Sequence, residues 1–212
     1  GPLGMLMCKL PFIFSLFLLF NGVLMGQAPS TSPWTWDTAA ILPPQAPAYI
    51  RPGLAGPVAG RLNHFLLVGG GANFPRKMPW EGGVKEFHRE LFIYRVSASG
   101  RLRFIRMDSL PDYIAYAACI ETPRGLLLAG GENASGKRSA CFLLRLNPRS
   151  GTLESMPLPD LPQALTHAMI CAWNNQVLLA GGETDSGTSA QVLQLDLNNL
   201  PRGWQRRTNL PA

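Results

Sequence analysis

One phrase occurs three times in this chain: four apolar residues followed by a pair of glycines. It reads Phe65-Leu66-Leu67-Val68-Gly69-Gly70, Leu126-Leu127-Leu128-Ala129-Gly130-Gly131 and Val177-Leu178-Leu179-Ala180-Gly181-Gly182. Aligned on these pairs, the copies lie 61 and 51 residues apart, and two of them run on into Glu132 and Glu183. A period of that length marks a supersecondary unit that buries its apolar face only against a neighbouring copy.

Each copy is followed by a second apolar stretch: Leu91 to Tyr94, Cys141 to Leu144 and Val192 to Leu195. A third, more polar stretch then closes at a proline: Pro111, Pro159 or Pro211. A weaker apolar run precedes each pair, at Leu54 to Ala59, Tyr116 to Ile120 and Leu165 to Trp173. Short segments bounded by Gly, Pro, Asn and Ser read as strands, and no helical stripe runs outside the N-terminus. Four strands per unit of roughly 50 residues describe the kelch blade of a β-propeller, so the fold expected is all-β with four-stranded antiparallel blades. The units are expected over 54–111, 112–162 and 163–212. Gly69-Gly70-Gly71 also raises a dinucleotide-binding loop, but the G-x-G-x-x-G spacing and the following helix are missing.

The first 53 residues divide differently. Residues 1–4 (Gly-Pro-Leu-Gly) look like the remnant of a cleaved expression tag. Over 5–26, Lys9, the apolar run Leu10 to Leu19 and small residues near Gly22 and Gly26 form the pattern of a secretory signal peptide. A retained signal anchor is the other reading. Residues 27–53 form a leader, with a Trp-bearing outer strand expected over 34–42. If the signal leaves, three cysteines remain: Cys119, Cys141 and Cys171. Their spacing suits neither a disulfide framework nor a zinc site, and they are expected as small buried hydrophobes. The net charge of +6 comes from scattered basic residues, which gives no nucleic-acid footprint and leaves room for an anionic ligand. Asn133-Ala134-Ser135 matches a glycosylation sequon.

At this point a resemblance enters. Leu54-Ala55-Gly56-Pro57-Val58-Ala59-Gly60, with Phe65 through Gly71-Ala72-Asn73-Phe74-Pro75, resembles the fifth blade of the sialic acid mutarotases, also called N-acetylneuraminate epimerases. Leu127 to Glu132 resembles their last blade, and Val192 to Leu197 with Trp204 and Pro211 the end of their first. Late blades followed by an early one is the order of the cyclically permuted mutarotase family, and the similarity runs over residues 34–212. The resemblance implies a six-bladed propeller, secreted or periplasmic in bacteria. It implies interconversion of the anomers of a small acidic sugar by general acid–base catalysis, with no metal or organic cofactor. Neither nucleic acid nor, after signal cleavage, a membrane is an expected partner.

Three units and one leading strand fall short of a ring, so the remaining blades are expected outside these residues or in a second copy, as a homodimer sharing one ring. The family's acid/base Glu and its Arg belong to a blade with no matching segment here, so no catalytic residue is carried over. A non-catalytic kelch module that binds a glycan or a protein is the other functional class.

The residues themselves offer candidates. The loop after the first pair is about eleven residues longer than its counterpart in the second unit. Long loops are functional or disordered more often than not. In it Asn73 is a substrate-binding candidate, Arg76 and Lys77 are candidates for holding a carboxylate, and Trp80 for stacking on a sugar face. Tyr116 lies in a connection between blades, with Tyr113 close by, and is a further substrate-binding candidate. Glu132 and Glu183 are weak catalytic candidates, their matched positions equally suiting a structural role in the repeat, such as accepting backbone N–H bonds. His167, inside an apolar run, reads as a core histidine or a catalyst.

Overall fold

The computed structural model describes residues 37–44, 51–147 and 151–211. The tag-like residues 1–4, the signal-like stretch 5–26 and the part of the expected outer strand at 34–36 lie outside them. The described residues from 39 onward form one compact unit.

In the first blade, β1 (Val58–Leu62), β2 (Phe65–Gly69), β5 (Glu90–Val96) and β6 (Leu102–Ser109) pair antiparallel in that order. Between β2 and β5 stands a small hairpin, β3 (Ala72–Asn73) with β4 (Glu86–Phe87). The second blade repeats the plan with β7 (Ala118–Thr122), β8 (Gly125–Ala129), β11 (Cys141–Leu146) and β12 (Leu153–Leu158). Its hairpin joins β9 (Glu132–Asn133) to β10 (Gly136–Lys137). The third blade has β13 (Met169–Trp173), β14 (Gln176–Ala180), β17 (Val192–Asp196) and a two-residue β18 (Gln205–Arg206), with the hairpin β15 (Glu183–Thr184) and β16 (Gly187–Thr188). These are kelch-type propeller blades, three in number among the described residues.

Burial explains why the apolar runs read as they do. Leu126, Leu128 and Leu144 pack with Val58, Leu67, Leu91 and Ile93 of the first blade. Leu127, Ala129, Cys141 and Leu143 pack with Val177, Leu179, Leu193 and Leu195 of the third. The second blade is therefore sandwiched, and all five residues of β8 are buried. A strand covered on both faces carries a continuous apolar run instead of alternation. By contrast, β14 alternates half-buried and buried positions.

The glycine pairs have a specific task, and the alignment needs one correction. Gly70, Gly130 and Gly181 share φ values of 60°, 67° and 69°. Gly71, Gly131 and Gly182 follow at 80°, 96° and 94°. The first unit's pair is thus Gly70-Gly71. Gly69 instead ends β2, where a Cβ would stand 2.1 Å from the Glu90 carbonyl. Three glycines in a row conceal such a one-residue slip. At the second glycine the chain reaches the next blade: Gly71 N–H donates to the Ile114 carbonyl (2.7 Å) and Gly131 N–H to that of Leu165 (2.8 Å). A Cβ on Gly130 would lie 2.3 Å from the Leu165 oxygen, so these positions need both the left-handed backbone and the missing side chain.

Two further expectations change. No strand forms over 37–44, the described part of the expected outer strand. Ile41 and Pro43 instead meet side chains: Tyr94 Oη donates to the Ile41 carbonyl (3.3 Å) and Arg51 Nε to that of Pro43 (3.3 Å). The Arg51 guanidinium, 4% exposed, sits 5.0 Å over the Phe92 ring and 3.8 Å from Glu90. The carbonyls of Ile41 and Pro43 are thus used by side chains, not by a sheet edge. Cys171, expected as buried, is exposed. On β13, Ile170 and Ala172 turn toward the second blade, which leaves Met169, Cys171 and Trp173 on the outer face.

Candidate functional site

The strands β1, β7 and β13 neighbour one another across the blades. Just ahead of them come Gly56, Tyr116 and His167, each fifteen positions before the second glycine of its own unit. All three share a left-handed backbone, with φ of 58°, 57° and 56°. Main-chain bonds thread them: Tyr116 N–H donates to the Gly56 carbonyl (2.8 Å) and His167 N–H to the Tyr116 carbonyl (3.1 Å). The repeat imposes this conformation, and glycine meets it in the first unit without steric cost. Tyrosine and histidine hold it at some cost, in a region where non-glycine residues are uncommon.

The rings of Tyr116 and His167 lie together, with centroids 4.6 Å apart and planes inclined by 33°. His167 is half exposed and is not a core residue. A left-handed residue in the approach to β13 turns its side chain away from the blade interface, which is why the surrounding apolar run misleads. Its Nδ1 is 3.0 Å from Thr166 Oγ1 and 4.0 Å from a Glu183 carboxylate oxygen.

Around this pair the blades exchange charges. Lys85, from the first blade's long loop, donates to Glu132 of the second (Nζ to Oε1, 2.5 Å). Lys137, from the second, donates to Glu183 of the third (3.1 Å), with Asp185 at 3.7 Å. The Glu183 carboxylate, through its hydrogen bond first, holds the Lys137 ammonium above its ordinary pKa. The partners of the two glutamates are thus ammonium groups from the preceding blade, where backbone N–H groups were the expected donors. Lys85 also lies 4.7 Å over the Tyr116 ring and 5.0 Å over that of Phe87. Beside it opens a cleft of about 490 Å³ between the first two blades, lined by Lys85, Phe87, Asp112, Tyr113, Asn133 and Ser135. Arg138 anchors Asp112 there at 3.2 Å.

Of the residues singled out in the sequence, Tyr116, Glu132, Glu183 and His167 come together. The remainder fall elsewhere. Asn73 is buried in the hairpin, its Oδ1 2.9 Å from His88 Nε2. Arg76 pairs with Glu86 on the surface at 2.7 Å. Lys77 is exposed, and Trp80 stands 82% exposed on a 3-10 turn (Pro79–Glu81). That turn is internally tied: the Glu81 carboxylate accepts from the Met78 N–H (3.1 Å), and Gly83 N–H donates to the Met78 carbonyl (3.0 Å). Lys85, Lys137 and Thr166 join the site without having been singled out. The fifteen-residue offset shared by Gly56, Tyr116 and His167 is the signal that finds the row. Among the described residues no group of His, Cys, Asp and Glu could hold a metal ion, and no helix is long and apolar enough to cross a membrane.

No protein-family model matches the chain. Among curated proteins it is similar to the N-acetylneuraminate epimerase of Vibrio cholerae, 30% identical over 128 residues, which is 56% of this chain and 32% of that one. It is likewise similar to the N-acetylneuraminate epimerase of Brucella suis, 31% identical over 129 residues, covering 57% of this chain and 32% of the relative. The matched stretch thus spans about a third of the length of these relatives. Among solved structures, that of YjhT superposes with a TM-score of 0.56 at 13% identity, covering 75% of this chain and 53% of the other. At that identity the likeness is one of fold.

Proposed function

We propose that the chain belongs to a sugar mutarotase, which interconverts the anomers of N-acetylneuraminate or a related acidic sugar by general acid–base catalysis. The observation that carries this reading is the 30–31% identity to proteins named N-acetylneuraminate epimerase. The site geometry supports it. Tyr116 and Phe87 offer apolar faces of the kind that suit a sugar ring, with the Lys85 ammonium 4.7 and 5.0 Å from them. A substrate carboxylate would compete with Glu132 for that ammonium in a charge-assisted hydrogen bond. The proton transfers need groups that can give and take a proton at the anomeric centre, and carboxylates and an imidazole stand along the row. Secretion, through the signal-like N-terminal stretch, is part of the same proposal.

The test follows the anomeric NMR signals of N-acetylneuraminate in the presence of the folded protein. Faster exchange between the anomers than in buffer is the expected result. Exchange at the buffer rate overturns the reading.

A second reading, a non-catalytic glycan- or protein-binding module, is favoured by one observation: Trp80 is presented to solvent on a turn whose own hydrogen bonds fix it. A partner that quenches Trp80 fluorescence, with no change in anomer exchange, would support this reading over the first.

A further inference from the structure

We infer that His167 is the proton-transferring group of this face, with Nε2 as its working atom and Thr166 as the residue that positions it. The inference rests on the mutarotase reading and assigns a proton-transferring group within it. Thr166 is almost fully buried. Its Oγ1 lies 3.4 Å from the Glu183 main-chain oxygen, which can only accept. With the single hydroxyl proton given to that oxygen, which also accepts the Thr166 N–H (3.0 Å), the lone pairs of Oγ1 remain for His167 Nδ1 at 3.0 Å. An acceptor at Nδ1 selects the Nδ1–H tautomer, because one ring nitrogen's partner decides which form the neutral imidazole takes. Nε2 is left with its lone pair, on a ring that is half exposed.

The ring is held from its other sides as well. Tyr116 stacks on it at 4.6 Å, and Tyr116 accepts its main-chain N–H. The charged group facing it is Glu183, 4.0 Å from Nδ1, itself paired with Lys137, which Asp185 also faces. Such a carboxylate stabilises the imidazolium that forms when Nε2 takes a proton. A histidine in a left-handed backbone, locked by a buried hydroxyl and a stacked ring, has lost its rotamer freedom before any ligand arrives, which is the pre-organisation a positioned base requires.

In the step assigned to it, Nε2 takes the proton of the anomeric hydroxyl of a reducing acidic sugar. The bond between the anomeric carbon and the ring oxygen breaks, and a water molecule gives a proton to that oxygen, becoming hydroxide. The open-chain carbonyl presents its other face. On closure the hydroxyl attacks, the hydroxide takes its proton, and the imidazolium returns its own to the new anomeric oxygen. Charge and protons balance over the cycle.

The test uses anomer exchange of N-acetylneuraminate by NMR on the whole chain. His167→Asn keeps a residue that tolerates the left-handed backbone. It is expected to lower the acceleration about 100-fold or more, the usual worth of a positioned acid–base group. Thr166→Val is expected to lower the rate about tenfold with unchanged half-saturation, since losing one orienting contact costs a fraction of the base itself. Thr166→Ser restores it. Circular dichroism confirms the fold of each variant. If the unaltered protein accelerates exchange and His167→Asn keeps the rate, the inference falls and the mutarotase reading stands. If the unaltered protein leaves exchange at the buffer rate, the mutarotase reading falls. The tautomer remains measurable in that case by nitrogen-15 NMR of the His167 ring, and a neutral form protonated at Nε2 overturns the inference directly.

Discussion

Lys85 and Glu132 meet across the boundary of the first two blades at 2.5 Å, with about a third of one side chain and a fifth of the other still exposed. Partial exposure keeps the value of such a pair low, because water and salt screen it. A double-mutant cycle with Lys85→Met and Glu132→Gln is expected to return a coupling of up to about 1 kcal/mol in chemical denaturation, shrinking as salt is added. A coupling insensitive to salt would mean that packing of the lysine stem over Tyr116 and Phe87 dominates.

The glycine hinges should be far less forgiving. Gly130→Ala combines a left-handed φ of 67° with a Cβ only 2.3 Å from the Leu165 oxygen. Gly136→Ala carries φ of 109° but meets nothing within 4 Å. The second change is expected to cost the backbone penalty alone, on the order of 1–2 kcal/mol. The first should cost more, because the backbone at the blade junction must shift as well. Thermal melts of the two variants side by side check the order.

The thiols differ in reach. Burial pushes those of Cys119 and Cys141 up to about 12, whereas Cys171 is exposed on the outer face of the third blade. In a Cys8→Ser background at pH 8, a thiol reagent should label one cysteine quickly and two only on unfolding, since the thiolate is the reacting form. Cys171→Ser should abolish the fast phase.

Alkaline pH tests the second charge exchange. The folded pKa of Lys137 lies above the ordinary 10.5, raised first by its hydrogen bond to Glu183. A raised pKa means that the folded state holds this proton more tightly than the unfolded one. The stabilisation is then complete below pH 10.5 and is lost as pH climbs through the folded value. Lys137→Met should remove that part of the fall in stability above pH 10.5 and leave neighbouring contributions in place, as measured by denaturation at pH 9 and at pH 11.

The architecture was legible because it repeats. Leu126 to Ala129 announced a strand buried on both faces, and the turn chemistry on either side set its length. What escaped were features that periodicity does not encode. The run Gly69-Gly70-Gly71 hid the register, which only the backbone angles settle. His167 looked internal because its neighbours Leu165 and Ile170 are apolar, yet its left-handed backbone turns the ring out of that run. The lysines that complete the site come from the preceding blade, and a partner at a separation of 46 or 47 residues leaves no local mark. Asn73 and Trp80 stand out by residue type and by their place in the long loop. Type does not report that one is tucked into a hairpin and the other stands out on a tied turn.

The hydrogen bonds from Gly71 to Ile114 and from Gly131 to Leu165 join neighbouring blades by main chain alone. No side chain is recruited to keep the copies in step at that point. At the positions beside them, where one unit has glycine, the next tyrosine and the third histidine, the bonds between blades are again main chain to main chain, so the hydrogen bonding there does not depend on the Tyr116 and His167 side chains. A residue that accepts the left-handed backbone at Tyr116 or His167 would therefore change the chemistry of this face while those bonds stay, whereas Gly56 has no room for a side chain beside Tyr116.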